Sequence, residues 1–431
     1  MSDLPRPFPV QSSSRSRLDT AIAEQLTSGP RSNVVELPSG PRHGLPPAVF
    51  PRHPELLNAA DEPYFPKKGK KRHHKPWVIR RAMNGWMFPF FKSRLLPGDF
   101  HPLIAYLFNE WKCNLTCEYC WAYDNQVKGM TEEVARRSID WLHSTTCRVL
   151  ALMGGEVLLR PDFTHKIVDY AAQKGFWVYL PTNGRLLRPD VIDRMADAGV
   201  ATFNLAVDAW DEKPGLPKAM VPIRKNFEYL VRKQYKYGYS VFLNINICRN
   251  NLEDVRQLTE LAHESGIATD YHICETPMLE QEKLQPTDEN PVFIRPEDHE
   301  AIGELLDWLI EKQKSGWDMV NSVQRLAEMK SFIKHELEQW NCRAGLNSLI
   351  IRVDGSLAPC FPTYSATYDW GTIENPKMDC EQLKVMKQGC ERNCFSTLNH
   401  ILAFCYNDGR VIRWLAKQAM NGFQGVRGNM E

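Results

Sequence analysis

The sequence predicts an α/β protein, a partial (β/α)6 TIM-like barrel followed by a small cysteine-rich C-terminal extension. Three observations lead to this fold class. Six short apolar runs alternate with amphipathic helical segments between residues 103 and 320. The connecting loops are short, which favours a parallel sheet wound in βα units. Polar motifs follow the apolar runs, at the carboxyl ends of the strands, where a βα barrel carries its active site.

Each strand is expected where an apolar run stops at a turn, and each helix where apolar residues recur every three or four positions. Val134, Ile139 and Leu142 show that helical spacing. Glycines end several helices, as C-caps commonly do. The predicted strands are 103–108, 149–153, 177–180, 201–207, 241–248 and 270–274. The predicted helices are 131–144, 162–174, 189–198, 223–236, 252–265 and 296–314, with a further helix over 321–338.

The composition suits a globular protein of two or three domains. The chain has 431 residues, 43% hydrophobic and 24% charged, with a net charge of +1. A net charge so close to zero gives no long-range electrostatic attraction to nucleic acid. No apolar run is long enough to span a membrane. The first residues lack the apolar core of a signal peptide, so we expect a cytoplasmic protein. In that reducing compartment, twelve cysteines indicate metal sites better than disulfides.

Composition divides the chain into five regions. Residues 1–75 are rich in Pro, Ser, Arg and Gly and are predicted to be a disordered or extended basic region. Residues 76–102 form an aromatic-basic segment, and 103–320 form the barrel core. Residues 321–409 are a small extension stapled by metal, and 410–431 are a basic amphipathic tail.

Three cysteines follow the first predicted strand: Cys113, Cys117 and Cys120. A closed structural zinc site usually takes four ligands. Three thiolates on a cubic iron–sulfur cluster leave one iron open to another ligand. A three-thiolate zinc site with a distant fourth ligand is the alternative.

The spacing Cys-x3-Cys-x2-Cys, with Tyr119 before the last cysteine, resembles the cluster loop of the radical SAM superfamily. The resemblance covers about residues 103–410. It implies a [4Fe-4S] cluster on Cys113, Cys117 and Cys120, with S-adenosylmethionine on the fourth iron. It further implies a 5′-deoxyadenosyl radical that abstracts hydrogen from an unactivated C–H bond. Reduced flavodoxin or a ferredoxin-type protein would supply the electron.

Gly154-Gly155-Glu156 follows the second predicted strand. Glycines let a ligand approach the backbone closely, and a carboxylate can accept an ammonium group. In the radical SAM family the similar motif binds the methionine amino group, usually with Pro next, where this chain has Val157. The alternative is an ordinary βα turn.

Four polar residues stand at later strand ends: Asn183, Asp208, Asn244 and Asn246. The resemblance makes them candidates to bind the ribose hydroxyls or the carboxylate of S-adenosylmethionine. The family's Ser-x-Asp-Gly is Ala-Val-Asp-Ala at 206–209, so the carboxylate contact stays unassigned. Capping of turns is the alternative role for all four.

A second set of cysteines, Cys342, Cys360, Cys390 and Cys394, resembles the SPASM/twitch extension behind many radical SAM cores. A full SPASM extension carries a longer run of cysteines for a second auxiliary cluster. Of that run, this chain has Cys390-x3-Cys394. The resemblance therefore implies one auxiliary [4Fe-4S] cluster on these four residues. Cys380 or Cys405 could replace one of them, and a structural zinc is the alternative.

The remaining cysteines, Cys147, Cys248 and Cys274, are interpreted as ordinary buried thiols. Cys274 stands at a strand end, so a role as hydrogen donor stays open for it.

Aromatic and basic residues interleave over 76–92 and 410–423. This pattern is typical of a peripheral element on an anionic membrane surface, here the inner face, and suggests a lipid or isoprenoid substrate. Packing against the barrel, with the charges reaching outward, is the alternative. The basic block 66–75 lacks a nucleic-acid reader fold, so nucleic acid is not expected as a partner.

Two other functions stay open. A radical SAM maturase of a ribosomally made peptide is one, although residues 1–75 lack the pattern of a leader-binding domain. A non-catalytic iron–sulfur or zinc protein for electron transfer is the other, and it leaves Gly154-Gly155-Glu156 unexplained.

Overall fold

The computed structural model describes residues 76–120, 124–274, 290–338, 340–360, 368–390 and 394–420. An eight-stranded sheet in the order β6-β5-β4-β3-β2-β1-β7-β8 forms the centre of the fold. Every neighbouring pair is parallel except β7 with β8, and the sheet does not close into a barrel. The predicted fold class is therefore confirmed. The strands are β1 (Ile104–Glu110), β2 (Val149–Gly154), β3 (Trp177–Thr182), β4 (Val200–Ala206), β5 (Ser240–Ile247), β6 (Ala268–Ile273), β7 (Ser348–Ile351) and β8 (Leu357–Ala358).

Helices follow the strands in the predicted alternation, and local sequence explains their ends. The Thr131 hydroxyl accepts a hydrogen bond from the Val134 amide (3.3 Å) and caps the helix after β1. Gly238 ends another helix with φ 68°, a left-handed conformation that a side chain would oppose. The helices are α1 (Pro76–Ala82), α2 (Phe88–Leu95), α3 (Glu132–Ser144), α4 (Pro161–Gln173), α5 (Pro189–Asp197), α6 (Arg224–Tyr237), α7 (Leu252–Glu264), α8 (His299–Lys314), α9 (Val323–Ile333), α10 (Cys380–Cys390), α11 (Thr397–Asn407) and α12 (Arg410–Met420).

The two faces of the sheet differ in chemistry. Side chains such as Leu107, Leu152 and Leu180 pack on the outer face, against the helices of the βα units, and form the main core. Because side chains alternate along a strand, their neighbours Tyr106 and Tyr179 point to the opposite, inner face. The inner face is the one available to carry chemistry.

The aromatic-basic segment packs against one end of this inner face. A π-helical turn, Met83–Met87, joins α1 to α2. The Trp86 and Tyr179 rings meet edge to face with centroids 6.3 Å apart, and Phe90 is buried in the same cluster. For these side chains the alternative interpretation, packing against the barrel, is the one observed.

Arg81 is a half-buried basic residue of this segment. Its guanidinium lies between the Trp77 and Trp177 rings, 5.2 and 5.4 Å from their centroids. It donates a hydrogen bond to the Gly238 carbonyl (2.9 Å). Burial lowers the pKa of Arg81 to about 10. Arg81 therefore joins α1 to the end of α6 rather than facing solvent.

Arg81→Ala is expected to lower the free energy of unfolding by about 2 kcal/mol, because the Gly238 carbonyl loses its charged donor inside the protein. Thermal unfolding of the apo-protein measures the loss. Arg80, exposed on the same helix, supplies the matched control. Equal changes in the Arg80→Ala and Arg81→Ala proteins would show that the buried contacts contribute nothing particular.

The C-terminal extension continues the sheet. β7 pairs in parallel with β1, and β8 pairs antiparallel with β7. Leu402 on α11 and Val411 on α12 are buried in the cluster that holds Phe90 of α2. The two aromatic-basic segments thus meet in one cluster. Within the described residues, no helix is both long and apolar enough to cross a membrane.

Candidate functional site

The three clustered cysteines lie in the loop that leaves the carboxyl end of β1. Cys117 is buried, while Cys113 and Cys120 are partly exposed. The Cys120 amide donates to the Cys117 carbonyl (3.1 Å), and the Cys113 amide donates to Asn125 Oδ1 (2.9 Å). A backbone bond within the loop and the Asn125 side chain therefore hold the loop, with its thiols at the edge of the sheet where the other strand-end motifs also lie.

Gly154 and Gly155 make room for the backbone of the cysteine loop. A Cβ on Gly154, whose φ is 130°, would stand 1.5 Å from the Glu110 carbonyl oxygen. One on Gly155 would stand 2.1 Å from the Lys112 carbonyl oxygen. The Gly155 amide instead donates to Glu110 O, and the Glu156 amide donates to Lys112 O, both at 2.8 Å. The sequence analysis expected a ligand to approach these glycines closely. In the structure, the backbone of Glu110 and Lys112 does so.

Glu156 joins the ends of β2 and β3 from a fully buried position. Its Oε1 accepts from the Leu158 amide (3.1 Å) and the Thr182 hydroxyl (2.8 Å), and its Oε2 accepts from the Asn183 amide (2.9 Å). Burial raises the pKa of Glu156, while these donors favour its carboxylate form. A carboxylate offers about four acceptor positions. Three are used here, which leaves capacity for one further donor.

Asn183 connects β3 to the cysteine loop. Its Nδ2 donates to Asn114 Oδ1 (2.8 Å) and lies 4.0 Å from Cys113 Sγ. Its Oδ1 accepts from the Arg185 amide (3.0 Å), which is a turn-capping bond. The capping role left open by the sequence is therefore present, together with a contact near the thiol. Asn114 was not among the predicted site residues.

Tyr119, Asp208 and Lys218 form a polar network beside the thiols, in which Asp208 is buried and the other two are half-buried. Tyr119 Oη donates to Asp208 Oδ2, and Lys218 Nζ donates to Tyr119 Oη (2.9 Å). Asp208 Oδ1 also accepts from the Asn246 amide (2.9 Å). Sequence reasoning missed Lys218 because it stands in the long loop after β4, where no motif or periodicity marks it.

The charges in this region fit a metal cluster held by thiolates. Burial raises the pKa of Cys113 to about 11 and that of Cys117 to about 12, so the thiolates need positive charge nearby. Lys218 supplies one such charge. Burial by itself would lower the pKa of Lys218, but Cys117 and Asp208 outweigh it and raise that pKa above its usual value. A cationic metal bound to the thiolates would supply the remaining positive charge that they need.

Among the residues that the structure describes, no three His, Cys, Asp or Glu side chains converge closely enough to hold one metal ion. A cubic cluster binds each thiolate at a different iron, so its ligands do not have to converge on one point. All twelve cysteines lie in the described ranges, and none is in a disulfide.

The inner face of β5 and β6 carries a ladder of polar pairs. Asn244 is in register with Asp270, and Asn246 with His272. Asp270 Oδ2 lies 3.5 Å from His272 Nε2, and Asp270 is buried. Sequence reasoning named the two asparagines and missed Asp270 and His272. The alternation of polar and apolar residues over 270–273, Asp-Tyr-His-Ile, was the signal that could have found them.

In the second cysteine set, Cys342 and Cys360 are buried in one cluster with Trp340 beside them. Trp340 Nε1 donates to the Cys394 carbonyl (3.3 Å), which brings Cys394 to the same place. Backbone amides donate to Cys342 Sγ and Cys394 Sγ, each at 3.4 Å. Such N–H···S bonds are one of the ways a protein tunes a cluster.

Cys390 is connected to this group through Lys387. Cys390 Sγ lies 3.7 Å from the Lys387 carbonyl oxygen, and Lys387 Nζ donates to the Cys342 carbonyl (2.7 Å). Cys380 begins α10 and Cys390 ends it, which separates them by about 15 Å along the helix axis. Cys380 and Cys390 therefore lie too far apart to serve the same cluster. Cys405 packs instead in the apolar cluster with Phe90.

Comparisons with known proteins find a radical SAM domain in this chain. The family model of the radical SAM superfamily matches residues 112–274. An AdoMet-dependent heme synthase of Methanosarcina barkeri is 32% identical over 213 residues, which cover 47% of this chain and 56% of that protein. An Fe-coproporphyrin III synthase of the same organism is 25% identical over 162 residues, 36% of this chain and 40% of that protein. The chain thus spans about half, or less, of the length of these curated relatives.

Two solved structures share the fold. Native anSMEcpe with bound AdoMet aligns with a TM-score of 0.50 and 17% identity, over 73% of this chain and 100% of that one. Streptococcus suis SuiB bound to precursor peptide SuiA aligns with a TM-score of 0.52 and 14% identity, over 72% of this chain and 71% of that one. At these identities the likeness concerns the fold alone.

Proposed function

Because the radical SAM family model matches residues 112–274, we propose that the chain cleaves S-adenosylmethionine reductively and abstracts hydrogen from an unactivated C–H bond of a substrate. The observation that carries this proposal is the set of three thiols on one loop, with the buried Glu156 and the half-buried Lys218 beside them. A [4Fe-4S] cluster held there would supply the one electron that breaks the sulfonium into methionine and a 5′-deoxyadenosyl radical. A reduced flavodoxin or ferredoxin-type protein is the proposed source of that electron.

The chain's own residues would bind and orient the cosubstrate. Cys113, Cys117 and Cys120 would hold the cluster. Glu156 has acceptor capacity left for the methionine ammonium, because its three hydrogen bonds use three of about four acceptor positions. Tyr119, fixed by Asp208 and Lys218, would have little freedom to move as the cosubstrate binds. Asn183, Asn244 and Asn246 remain candidates for the ribose and carboxylate.

The proposal is tested by incubating anaerobically reconstituted protein with dithionite and S-adenosylmethionine and quantifying 5′-deoxyadenosine by mass spectrometry. We expect product that depends on both the reductant and the protein. Reconstituted protein that holds iron and sulfide but forms no 5′-deoxyadenosine would contradict the proposed reaction.

We further propose one auxiliary [4Fe-4S] cluster on Cys342, Cys360, Cys390 and Cys394. The grouping of Cys342 with Cys360, and the amide donors to two of the thiols, support it. Such a cluster could pass electrons to or from the substrate, or shape its pocket.

Cys342→Ala is expected to remove about four iron atoms per chain and to leave the cluster of the β1 loop in place. Cys380→Ala, which changes a thiol at the other end of α10, should keep the full iron content. Iron and sulfide assays on the two reconstituted proteins measure the difference. Equal iron content in Cys342→Ala and the unmodified protein would show that Cys342 does not hold an auxiliary cluster.

For the substrate, the names of the curated relatives support an iron tetrapyrrole as the class to test first. Fe-coproporphyrin III is a suitable probe, because it absorbs strongly and its binding changes its spectrum. We expect it to bind the reconstituted protein and to increase 5′-deoxyadenosine formation. A tetrapyrrole that neither binds nor stimulates cleavage would contradict this choice of substrate.

A lipid or isoprenoid substrate at a membrane surface is the second candidate, and exposed apolar side chains favour it. Phe88 is 58% exposed, Phe91 45% and Leu95 85%, and Lys92 and Arg94 are exposed on the same helix. Such a face suits an anionic lipid surface.

Flotation with vesicles of phosphatidylcholine and phosphatidylglycerol tests the membrane candidate. Phe88→Ser with Leu95→Ser should abolish co-flotation if α2 enters the lipid surface. Val385→Ser, which changes an apolar side chain 49% exposed on α10, is the matched control. Co-flotation that survives the α2 changes, or that is absent from the unmodified protein, would remove this candidate.

A further inference from the structure

The polar ladder on the inner face of β5 and β6 ends in two cysteines. The register of the two strands pairs Asn246 with His272 and Ile247 with Ile273. The Cys274 amide donates to the Ile247 carbonyl (2.9 Å), so the pairing continues one step beyond the strands. Because side chains alternate, Cys248 and Cys274 follow Asn246 and His272 onto the inner face.

The two thiols contact each other. They are buried in one small cluster with Leu216, Val292 and Phe293, close enough for Cys274 to act on Cys248. Neighbouring parallel strands place paired Cα atoms about 4.8 Å apart, which falls in the range that a disulfide bridges. The pair can therefore accept a covalent bond without a large movement of the backbone.

The pair also lies beside the cluster loop. Tyr119, the aromatic residue of that loop, packs against the Cys248–Cys274 cluster. Cys248 is close enough to Cys117 and Asp208 for their charges to act on it. Cys147 has a different setting, because its Sγ donates to the Val149 carbonyl (3.3 Å) in the main core, on the outer face of the sheet. The place of Cys248 and Cys274 beside the cluster loop thus distinguishes them from Cys147, which is an ordinary buried cysteine.

We infer that Cys248 and Cys274 act as a hydrogen-atom donor to a carbon radical formed beside the β1 loop. The inference rests on the proposed function, which supplies that radical. One S–H bond breaks and one C–H bond forms, which leaves a thiyl radical. The thiyl radical joins the neighbouring sulfur, whose proton leaves, and the resulting disulfide radical anion passes one electron to an oxidised iron–sulfur cluster. The products are one neutral disulfide, one proton, one C–H bond in place of the carbon radical and one cluster reduced by one electron.

The test uses S-adenosylmethionine alone, in D₂O, with dithionite and without any added thiol. Exchange converts both cysteines to S–D, whereas buffer C–H bonds keep hydrogen. We expect the 5′-deoxyadenosine to gain one deuterium in the unmodified protein. Cys274→Ser and Cys248→Ser should reduce that labelling at least about tenfold, and Cys147→Ser should keep it.

The outcomes separate this inference from the proposed function. Unlabelled 5′-deoxyadenosine in normal yield would overturn the hydrogen-donor role and leave the proposed function standing. Labelling that survives both serine changes would overturn it in the same way. If no 5′-deoxyadenosine forms, the proposed function fails, and this inference fails with it.

A second measurement covers variants that do not fold. Peptide mass spectrometry of the unmodified protein after turnover should detect a disulfide between Cys248 and Cys274. Oxidation of cluster-free protein with diamide should produce the same disulfide. Failure of diamide to link the two peptides would show that the thiols cannot act as a pair, and would overturn the inference.

Discussion

Cys117→Ala is expected to reduce 5′-deoxyadenosine formation to the level of a protein-free control and to remove about four iron atoms per chain. Cys117 is the most buried of the three loop cysteines. Its thiol lies near Cys113, Cys120 and Lys218, so its loss removes a ligand from the centre of the group. Two thiols cannot occupy three corners of a cubic cluster. Iron analysis and the product assay on the same preparation measure both losses.

Cys147→Ala is the matched control, since it also removes a fully buried thiol but from the main core. It should cost about 1 kcal/mol of stability through the small cavity and leave iron content and cleavage unchanged. Turnover that persists in Cys117→Ala would show that the loop does not hold the catalytic cluster. Turnover lost equally in both variants would indicate damage to the fold.

Gly155→Ala has the second largest expected effect, because its Cβ would meet backbone atoms. The nearest are the Lys112 carbonyl oxygen at 2.1 Å and its carbon at 2.5 Å. No side-chain rotation can relieve such contacts, so either β2 or the cysteine loop must move. We expect a loss of about 3 kcal/mol in the free energy of unfolding, together with poor cluster loading. Thermal unfolding of the apo-protein and iron analysis after reconstitution measure the two effects.

Gly303→Ala is its control. Gly303 lies within α8, and the nearest atom to its Cβ would be Lys330 Cε at 4.0 Å. In the interior of a helix this change should stabilise the protein by about 1 kcal/mol and leave cluster loading unchanged. If Gly155→Ala were as stable as Gly303→Ala and bound as much iron after reconstitution, Gly155 would not be packed closely against the cysteine loop.

Much of the fold could be predicted because it rests on local patterns. The apolar runs of β1 to β6 and the helical spacing between them are visible within windows of ten to fifteen residues. Their predicted bounds agree with the structure to within two or three residues, apart from the 3₁₀ turn before α8. The cysteine loop could be predicted equally well, because its three thiols stand within eight residues of sequence.

The polar partners of the site were harder to predict because they come from distant segments. Lys218 reaches Tyr119 across 99 positions, and Thr182 reaches Glu156 across 26. Neither residue belongs to a periodic pattern. Their roles follow from which strand ends the sheet places next to each other.

The sequence by itself determined the wound βα order, the three-thiol loop and the glycine–glutamate turn after β2, because each depends on neighbouring residues. The tertiary structure alone decided that β7 would pair with β1, that the Arg81 guanidinium would lie over two tryptophan rings, and that Cys248 would lie beside Cys274. These outcomes depend on register and packing between segments far apart in the chain. Local propensity carries no information about such distances, whereas the burial of apolar surface and the pairing of backbone groups select among them.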